Sequence, residues 1–588
     1  MRRFAALYRA IDASTSTRDK VEAMVAYFRA AAPADAAWAA YFLAGGKPRQ
    51  VVPTALLREL ACEIAGVAPW LFDEGYAVTG DLAEAIAYVL PAPTQPDDDG
   101  LANWVESRIL PLRGRARDEQ KRAIAADWAR LEPDERFIHV KLIGGGFRVG
   151  VSRLLVQRAL AQAFDLDPKR VAQRLIGYTD RARTPDAARF LRIVSDAADD
   201  APARGEPYPF FLAHQLALGA GGGGSGDGVG DGDGDRDPDE TVDARLEAAL
   251  GAPRDWLAEW KYDGIRAQIV VRAGGVWIWT RGEELATERF PEIVDVARRL
   301  PEGTVLDGEI LAWLPGAARP AGFALLQRRI GRLAPTKKLL AEAPVVFVAY
   351  DVLESGGADL RTQPQSARRE VLEGLTRDAG LALSPLVEGE RWADFARQRL
   401  DARARGVEGL MLKARDARYG TGRTRVDGTW WKWKIDPLTV DGVLVYAQAG
   451  HGRRANLYTD YTFAVWSRAP ESADEAQAVF DAIARRAPPD DAGLRLVPFA
   501  KAYSGLSDVE FGRVDALVRK STVERFGPVR SLRPSLVFEL GFEGIARSPR
   551  HKSGIATRFP RMLRIRDDKP AWQADTLATL EALIDAVG

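Results

Sequence analysis

The chain has 588 residues, too many for a single hydrophobic core, so roughly two to four domains are expected. With 46% apolar and 28% charged residues, and 82 Lys and Arg against 82 Asp and Glu, it has the balance of an ordinary globular protein, which excludes a disordered or fibrous chain. A single cysteine, Cys62, and four scattered histidines (His139, His214, His451 and His551) exclude a disulfide framework and a four-cysteine zinc site, so any metal has to sit on oxygen.

Met1-Arg2-Arg3 is followed by an amphipathic stretch, Phe4 to Ile11, and not by a signal-peptide core. No apolar run reaches the length of about 18 residues that a membrane span needs, and a cytoplasmic location is expected. Apolar residues at three- and four-residue spacing predict helices over Phe4 to Ile11, Arg18 to Ala31, Ala55 to Ala65, Asp118 to Leu131 and Ser152 to Phe164, so the region 1–205 reads as all-α. A segment over 206–240 follows, in which Gly219 to Asp235 is Gly with interspersed Asp and Ser, the composition of a flexible linker.

The pattern then changes. Alternating runs rich in Val, Ile and Trp predict strands over Ile265 to Val271, Val276 to Thr280, Val305 to Trp313 and Val345 to Leu353. Helical patches over Phe290 to Leu300, Ser366 to Leu375 and Trp392 to Arg405 separate them, giving an α+β domain over 241–437. Region 438–588 again reads as strands, over Gly442 to Ala447, Leu457 to Trp466, Arg495 to Ala502, Leu536 to Gly541 and Arg561 to Arg566, with a last helix from Ala574 to Val587. Five strands in a compact tail suit a small Greek-key β-barrel of the oligonucleotide-binding (OB-fold) type. Residues 547–569 carry Arg547, Arg550, Lys552, Arg558, Arg561, Arg564, Arg566 and Lys569 against Asp567 and Asp568 alone; this is a solvated basic surface or the seat of a polyphosphate.

Lys261 lies in Glu259-Trp260-Lys261-Tyr262-Asp263-Gly264-Ile265-Arg266, a charged break between two strand-like runs where Gly264 lets the backbone turn. The lysine is expected to be presented, either for chemistry or in a salt-bridged hairpin loop. Further along stand Arg281, Leu306-Asp307-Gly308-Glu309, Phe347-Val348-Ala349-Tyr350-Asp351, Glu408-Gly409-Leu410-Met411-Leu412-Lys413 and Trp431-Lys432-Trp433-Lys434. Lys432 and Lys434 are two apart on an expected strand, so both point to one face while Trp431 and Trp433 pack on the other. Glu309 and Glu408 have apolar neighbours two residues on, Leu311 and Leu410, which draws both carboxylates inward; there they meet either a metal or a structural arginine.

The ordered set resembles the motifs of the covalent nucleotidyltransferases, the superfamily of ATP-dependent DNA ligases, RNA ligases and capping enzymes. The resemblance implies that Lys261 is the nucleophile that becomes AMP-lysine, with Lys432 and Lys434 lowering its pKa and acting on the phosphates. It implies that Glu259 reads the adenine amino group, Arg266 holds ribose, Arg281 contacts the adenylate or the nick phosphate, and Lys413 belongs to the ATP site. Tyr350 stands where the family stacks an aromatic on adenine, and a core strand residue is the alternative. Arg423 and Arg425 compete for a further ATP contact, and Arg425 is preferred. Glu309 and Glu408 match glutamates that serve the ribose and a divalent cation, Mg²⁺ or Mn²⁺. Arg558-Phe559-Pro560-Arg561 and Arg564-Ile565-Arg566-Asp567-Asp568-Lys569 resemble the last ligase motif, in which Arg566 and Lys569 embrace the leaving pyrophosphate.

Gly145-Gly146-Phe147-Arg148-Val149-Gly150-Val151-Ser152 and the helix after it look like the DNA-binding domain of three-domain ATP-dependent DNA ligases, which capping enzymes lack, and Pro209-Phe210-Phe211-Leu212-Ala213 looks like the entry strand of the catalytic domain. The resemblance thus implies a stand-alone bacterial DNA ligase: an all-α DNA-binding domain, an α+β adenylation domain and an OB-fold domain, using ATP and nicked duplex DNA. It is expected to act as a monomer that encircles DNA and to be associated with the nucleoid. An NAD-dependent ligase is disfavoured by the lack of a cysteine zinc module. A non-catalytic DNA-binding scaffold and an RNA ligase or guanylyltransferase are the competing readings.

Overall fold

The computed structural model describes all residues except 15, 47–49, 97–98, 148–149, 181–183, 197–204, 217–237, 333, 427, 451–456, 488–492, 552 and 588. The expected linker Gly219 to Asp235 therefore lies outside the described residues, as do Arg148, Val149, His451 and Lys552. The chain divides into two compact units: residues 1–49, 98–107 and 145–435 form the first, and residues 50–97, 108–144 and 436–588 the second.

Up to Ile193 the described elements are helical, in agreement with the sequence. Local signals set their ends. Ser16 caps Thr17–Ala30 by accepting from the Asp19 N–H, and Asp81 caps Leu82–Val89 in the same way. Thr54–Ala65 stops at Gly66, whose φ of 66° places it in the left-handed region. In the first unit the helices close on an aromatic cluster in which Phe4, Phe42 and Phe147 lie 5.7–6.2 Å apart.

The rest of the first unit is built on two sheets. The strands in chain order are β1 (His214–Gln215), β2 (Trp256–Trp260), β3 (Ile265–Arg272), β4 (Gly275–Thr280), β5 (Thr304–Ala312), β6 (Val345–Ser355), β7 (Ala358–Asp359), β8 (Ala382–Leu383), β9 (Leu386–Val387), β10 (Gly409–Ala414) and β11 (Trp430–Lys434). One sheet runs β1-β11-β10-β2-β9; the other runs β4-β3-β5-β6-β7 with β8 on β6. β2 and β3, adjacent in sequence, thus belong to different sheets, and residues 261–264 cross between them. The expected entry strand contributes only an isolated bridge, Phe211 to Gly422, before β1 pairs with β11. The helix Pro238–Leu250, absent from the sequence reading, buries Leu246 against Trp392 and Phe395, and Asp243 Oδ1 accepts from the Ala393 N–H at 2.7 Å, capping the helix Trp392–Leu400.

The second unit is organised about a long strand, β12 (Leu438–Ala449), followed by β13 (Tyr458–Trp466), β14 (Leu496–Ala502), β15 (Thr522–Phe526), β16 (Val529–Leu532), β17 (Val537–Phe542), β18 (Gly544–Arg547), β19 (Ile555–Arg558) and β20 (Arg561–Ile565). β12 pairs with β17 over Leu438 to Val443 and with β16 over Tyr446 to Gln448, and its pairing with β13 shifts register between Leu444 and Tyr446. The five expected strands are present; β15, β16, β18 and β19 are additional, as are the helices Ala473–Ala484 and Asp508–Ser521. The four extra strands are four or five residues long and mix Arg, Glu, Ser and Thr with their apolar residues, so they lack the apolar alternation by which strands are recognised. The C-terminal segment is therefore sheet-rich, with a core of Val440, Leu444, Tyr461, Phe463, Phe538, Leu540 and Met562.

Candidate active site

Lys261 is the first residue of the crossover from β2 to β3. Its N–H donates to the Gly409 carbonyl at 2.8 Å and its carbonyl accepts from the Glu408 N–H at 2.7 Å, so the ladder of β2 with β10 fixes the main chain at both residues. The side chains meet on the same side: Lys261 Nζ donates to Glu408 Oε2, and Lys434 Nζ approaches that oxygen at 3.3 Å. The Lys261 side chain is 18% exposed and lines the cavity described below: the crossover lies against both sheets, and the carboxylate partner draws the amine in. Gly264 is needed for a reason other than a turn. A Cβ there would stand 2.3 Å from the Ile310 carbonyl oxygen, so its role is close approach of the loop to β5.

The partner of Glu408 is a pair of lysines and not an arginine. Burial alone would raise its pKa, but the ammonium groups of Lys261 and Lys434 outweigh that and hold it below the usual glutamate range. Glu309 has the opposite environment. It sits on β5 directly across from Arg266 on β3, and burial pushes its carboxyl up to about 8, against the opposing charges of Lys261 and Arg266. Lys432 is also perturbed: burial first, then the charges of Lys261, Arg423, Lys434 and Arg281, lower its pKa. These residues therefore form one electrostatically coupled group, rich in cations. A cavity of about 360 Å³ opens beside it, lined by Lys261, Asp263, Arg266, Arg281, Glu309 and their neighbours.

A second cluster lies further along the same face of β2, β10 and β11, in the core between the sheets. Lys413 Nζ donates to Glu259 Oε1 at 2.9 Å and to the Tyr350 carbonyl at 2.8 Å, and lies 4.6 Å and 4.7 Å from the ring centres of Tyr350 and Trp430. Lys413 and Glu259 are each about 1% exposed, and Arg369 Nη1 stands 3.6 Å from the same Glu259 oxygen. Arg266 Nε and Nη2 donate to Asp307 at 3.1 Å and 2.6 Å, and Nη1 donates to the Phe211 carbonyl at 2.6 Å; Tyr419 adds a hydrogen bond to Asp307 at 2.6 Å. Asp307, Tyr419 and Arg369 were not singled out from sequence, because partners brought together from a strand, a loop and a helix leave no local pattern.

As expected from period two, Lys432 and Lys434 share one face of β11, while Trp431 and Trp433 join the apolar cluster on the other. The two competing arginines diverge. The Arg425 guanidinium lies 4.8 Å from the Trp431 ring centre, on the apolar side, whereas Arg423 acts on Lys432. Arg566 and Lys569 belong to the second unit. There Arg566 Nη1 and Lys569 Nζ donate to Asp441 Oδ2 at 2.9 Å and 2.7 Å, and Arg566 Nη2 donates to Asp568 at 2.7 Å. Among the described residues no cluster of three or more His, Cys, Asp or Glu side chains could hold a metal on its own. Two inward carboxylates, Glu309 and Glu408, fit a cation that keeps water and phosphate oxygens in its shell, as Mg²⁺ does.

Comparison with known proteins identifies the family. The family model for the ATP dependent DNA ligase domain matches residues 241–434, and the model for the DNA ligase N terminus matches residues 1–161. A probable DNA ligase of Opitutus terrae is 31% identical over all of this chain, which spans 62% of that protein's length. A probable DNA ligase of Koribacter versatilis is 29% identical over 98% of this chain and 95% of its own, and the DNA ligase of Haloferax volcanii is 33% identical over 78% of this chain and 74% of its own. The solved structure named Pmar-Lig_PreS3 shares the fold, with a TM-score of 0.56 at 14% identity over 96% of this chain and 99% of that one. The chain belongs to the ATP-dependent DNA ligases of the nucleotidyltransferase superfamily, whose reaction is the sealing of nicks in DNA.

Proposed function

We propose that this chain seals nicks in duplex DNA with ATP and that Lys261 carries the adenylate. The observation that supports this best is the position of Lys261: its main chain is fixed by β10, its amine is paired with Glu408, and it stands beside a cation-rich cavity. In the first step Lys261 Nζ attacks the α-phosphorus of ATP; an N–P bond forms, the bond from the α-phosphorus to the bridging oxygen breaks, and pyrophosphate leaves. Only the neutral amine attacks, so the Lys261–Glu408 pair has to open and the ammonium has to lose its proton. Lys432, Lys434 and Arg281 stabilise the charge on the phosphoryl oxygens. The 5′-phosphate of the nick then displaces Lys261 from the AMP, and the 3′-hydroxyl displaces AMP from the DNA adenylate.

Glu309 and Glu408 are the residues that would hold Mg²⁺ or Mn²⁺, and the cation, when bound, supplies charge neutralisation on the phosphates. Glu259 and Lys413 form the base end, with Tyr350 as the aromatic partner of adenine and Arg266 beside the ribose. Of the two arginines before β11, Arg423 is the better ATP contact, since its charge acts on Lys432 while Arg425 stacks on Trp431. Arg566 and Lys569 serve the pyrophosphate, for which their bonds to Asp441 have to give way.

The proposed modules are a DNA-binding region over 1–205, an adenylation domain over 241–437 and an OB-type barrel over 438–588. They act as a monomer that surrounds the duplex, grips its phosphates and reads no base. Nick sealing assayed with ATP, GTP or NAD⁺, each with and without a chelator, tests the reading. Joined product is expected with ATP and a divalent cation alone; product with GTP or NAD⁺ in place of ATP, or undiminished product under the chelator, contradicts it.

A further inference from the structure

The turn after β4 has two faces, and one of them belongs to the cavity. Arg281, Gly282 and Glu284 line the cavity beside Lys261, whereas Glu283, which stands among them in sequence, is not part of its lining. The turn is closed by the Glu283 N–H, which donates to the Thr280 carbonyl at 2.8 Å, and by the Thr280 N–H, which donates to the Glu284 carbonyl at 3.0 Å. This geometry puts Glu283 at a φ of 60°, in the left-handed region that favours glycine. A glutamate stays in that conformation only when its surroundings hold it there.

Those surroundings come from the N-terminal helices of the first unit. The Glu283 side chain is 17% exposed; its Oε2 accepts from the Gly177 N–H at 3.1 Å and is paired with Arg153 Nη1. Arg153 opens the helix Arg153–Phe164 behind the Ser152 cap, and its Nη2 donates to the Leu175 carbonyl. The Gly177 carbonyl accepts from Arg189 Nη2 at 2.6 Å, and the hydroxyl of the adjoining Tyr178 donates to the Ala37 carbonyl at 3.0 Å. Residues 175–178 are thus tied into the helices on one side and to Glu283 on the other. Gly177 also lies against β4, where an added Cβ would stand 3.0 Å from the Trp279 ring, and Trp279 Nε1 donates to the Gly205 carbonyl at 2.6 Å. Arg281 is therefore held from two directions: its own N–H donates to the Arg266 carbonyl of β3 at 2.9 Å, and two residues on, Glu283 anchors the turn to the helices.

We propose that Glu283 is a positioning residue for Arg281, and that through Arg153 and Gly177 it makes the place of Arg281 depend on the seating of the N-terminal helices. This rests on the reading of Lys261 as the adenylated residue and of Arg281 as a partner of the phosphoryl oxygens.

The test measures single-turnover formation of lysyl-AMP at saturating ATP in the full chain, for E283Q, R153M, R153K, R281M and the double variants R153M/E283Q and E283Q/R281M. R281M is expected to be slower by about a hundredfold, the effect of losing one donor to developing charge. E283Q and R153M are each expected to be slower by about tenfold, within the roughly hundredfold that a displacement of about 1 Å can cost. R153M/E283Q is expected to match either single variant, and R153K to recover most of the rate. E283Q/R281M is expected to be no slower than R281M, because Glu283 acts through the arginine that R281M has already removed. A contact that merely holds the fold together gives E283Q the same tenfold loss in the R281M background, and that outcome overturns the positioning role, as do wild-type rates in both E283Q and R153M. R153M, at a side chain 26% exposed, keeps the test decisive if E283Q does not fold. Absence of lysyl-AMP in the wild type instead overturns the reading of Lys261, and a wild-type rate in R281M overturns the role of Arg281; either takes the positioning role with it.

Discussion

Glu259 and Lys413 are among the most deeply placed charged residues at the candidate site, and neither charge is tolerable there alone. The carboxylate is 1% exposed, and its nearest cation is the Lys413 ammonium at 2.9 Å, with Arg369 further off at 3.6 Å. Removing one member of such a pair leaves an uncompensated buried charge, which costs about 3–5 kcal/mol. Lys413→Met is therefore expected to lower stability by about that amount in urea unfolding, and Glu259→Gln added to it is expected to recover part of the loss. A K413M protein as stable as the wild type would contradict the placement of this pair. Both residues were named from sequence, because they sit in recognisable runs, but their mutual contact was not: Glu259 and Lys413 are 154 positions apart, and only the ladder of β2 with β10 brings them together.

At the scale of elements, the crossover at residues 261–264 sets the geometry of the site. Gly264 passes so close to β5 that an added Cβ would meet the Ile310 carbonyl oxygen at 2.3 Å and Leu311 Cδ2 at 2.7 Å, so the loop of Gly264→Ala has to move. A displacement of about 1 Å at the nucleophile can cost roughly a hundredfold in rate. G264A is expected to slow lysyl-AMP formation by about ten- to a hundredfold in a single-turnover assay, and self-adenylation at the wild-type rate would show that the loop does not position Lys261. The strand that follows this loop and the strand it packs on were legible because Ile265–Arg272 and Thr304–Ala312 are long and rich in Val, Ile and Leu. The two-residue strands β7, β8 and β9 were not, since two residues carry no period. Arg423 and Arg425 were not separable either, because they precede β11 in irregular chain where side-chain parity does not hold.

Over the whole molecule, the sequence order and the compact units are different partitions. The helical N-terminal residues are distributed over both units: 1–49, 98–107 and 145–193 belong with the two sheets that hold Lys261, and 50–97 and 108–144 are grouped with 436–588. Composition and periodicity register the change from helix to strand along the chain, but grouping of helices depends on long-range contacts that no local pattern encodes. The motif residues fall the same way, with Lys261, Glu309, Glu408, Lys432 and Lys434 in the first unit and Arg566 and Lys569 in the second. All of them meet in one proposed chemical event, the transfer of AMP to Lys261. The measurement that tests it most directly is incubation with α-labelled ATP and Mg²⁺, beside Lys261→Ala, followed by denaturation and addition of nicked duplex to a parallel native sample. Label that survives denaturation on the wild type alone, and that nicked duplex discharges with formation of joined product, is the predicted result. Label of equal intensity on K261A, or no label on the wild type, would contradict the assignment of Lys261.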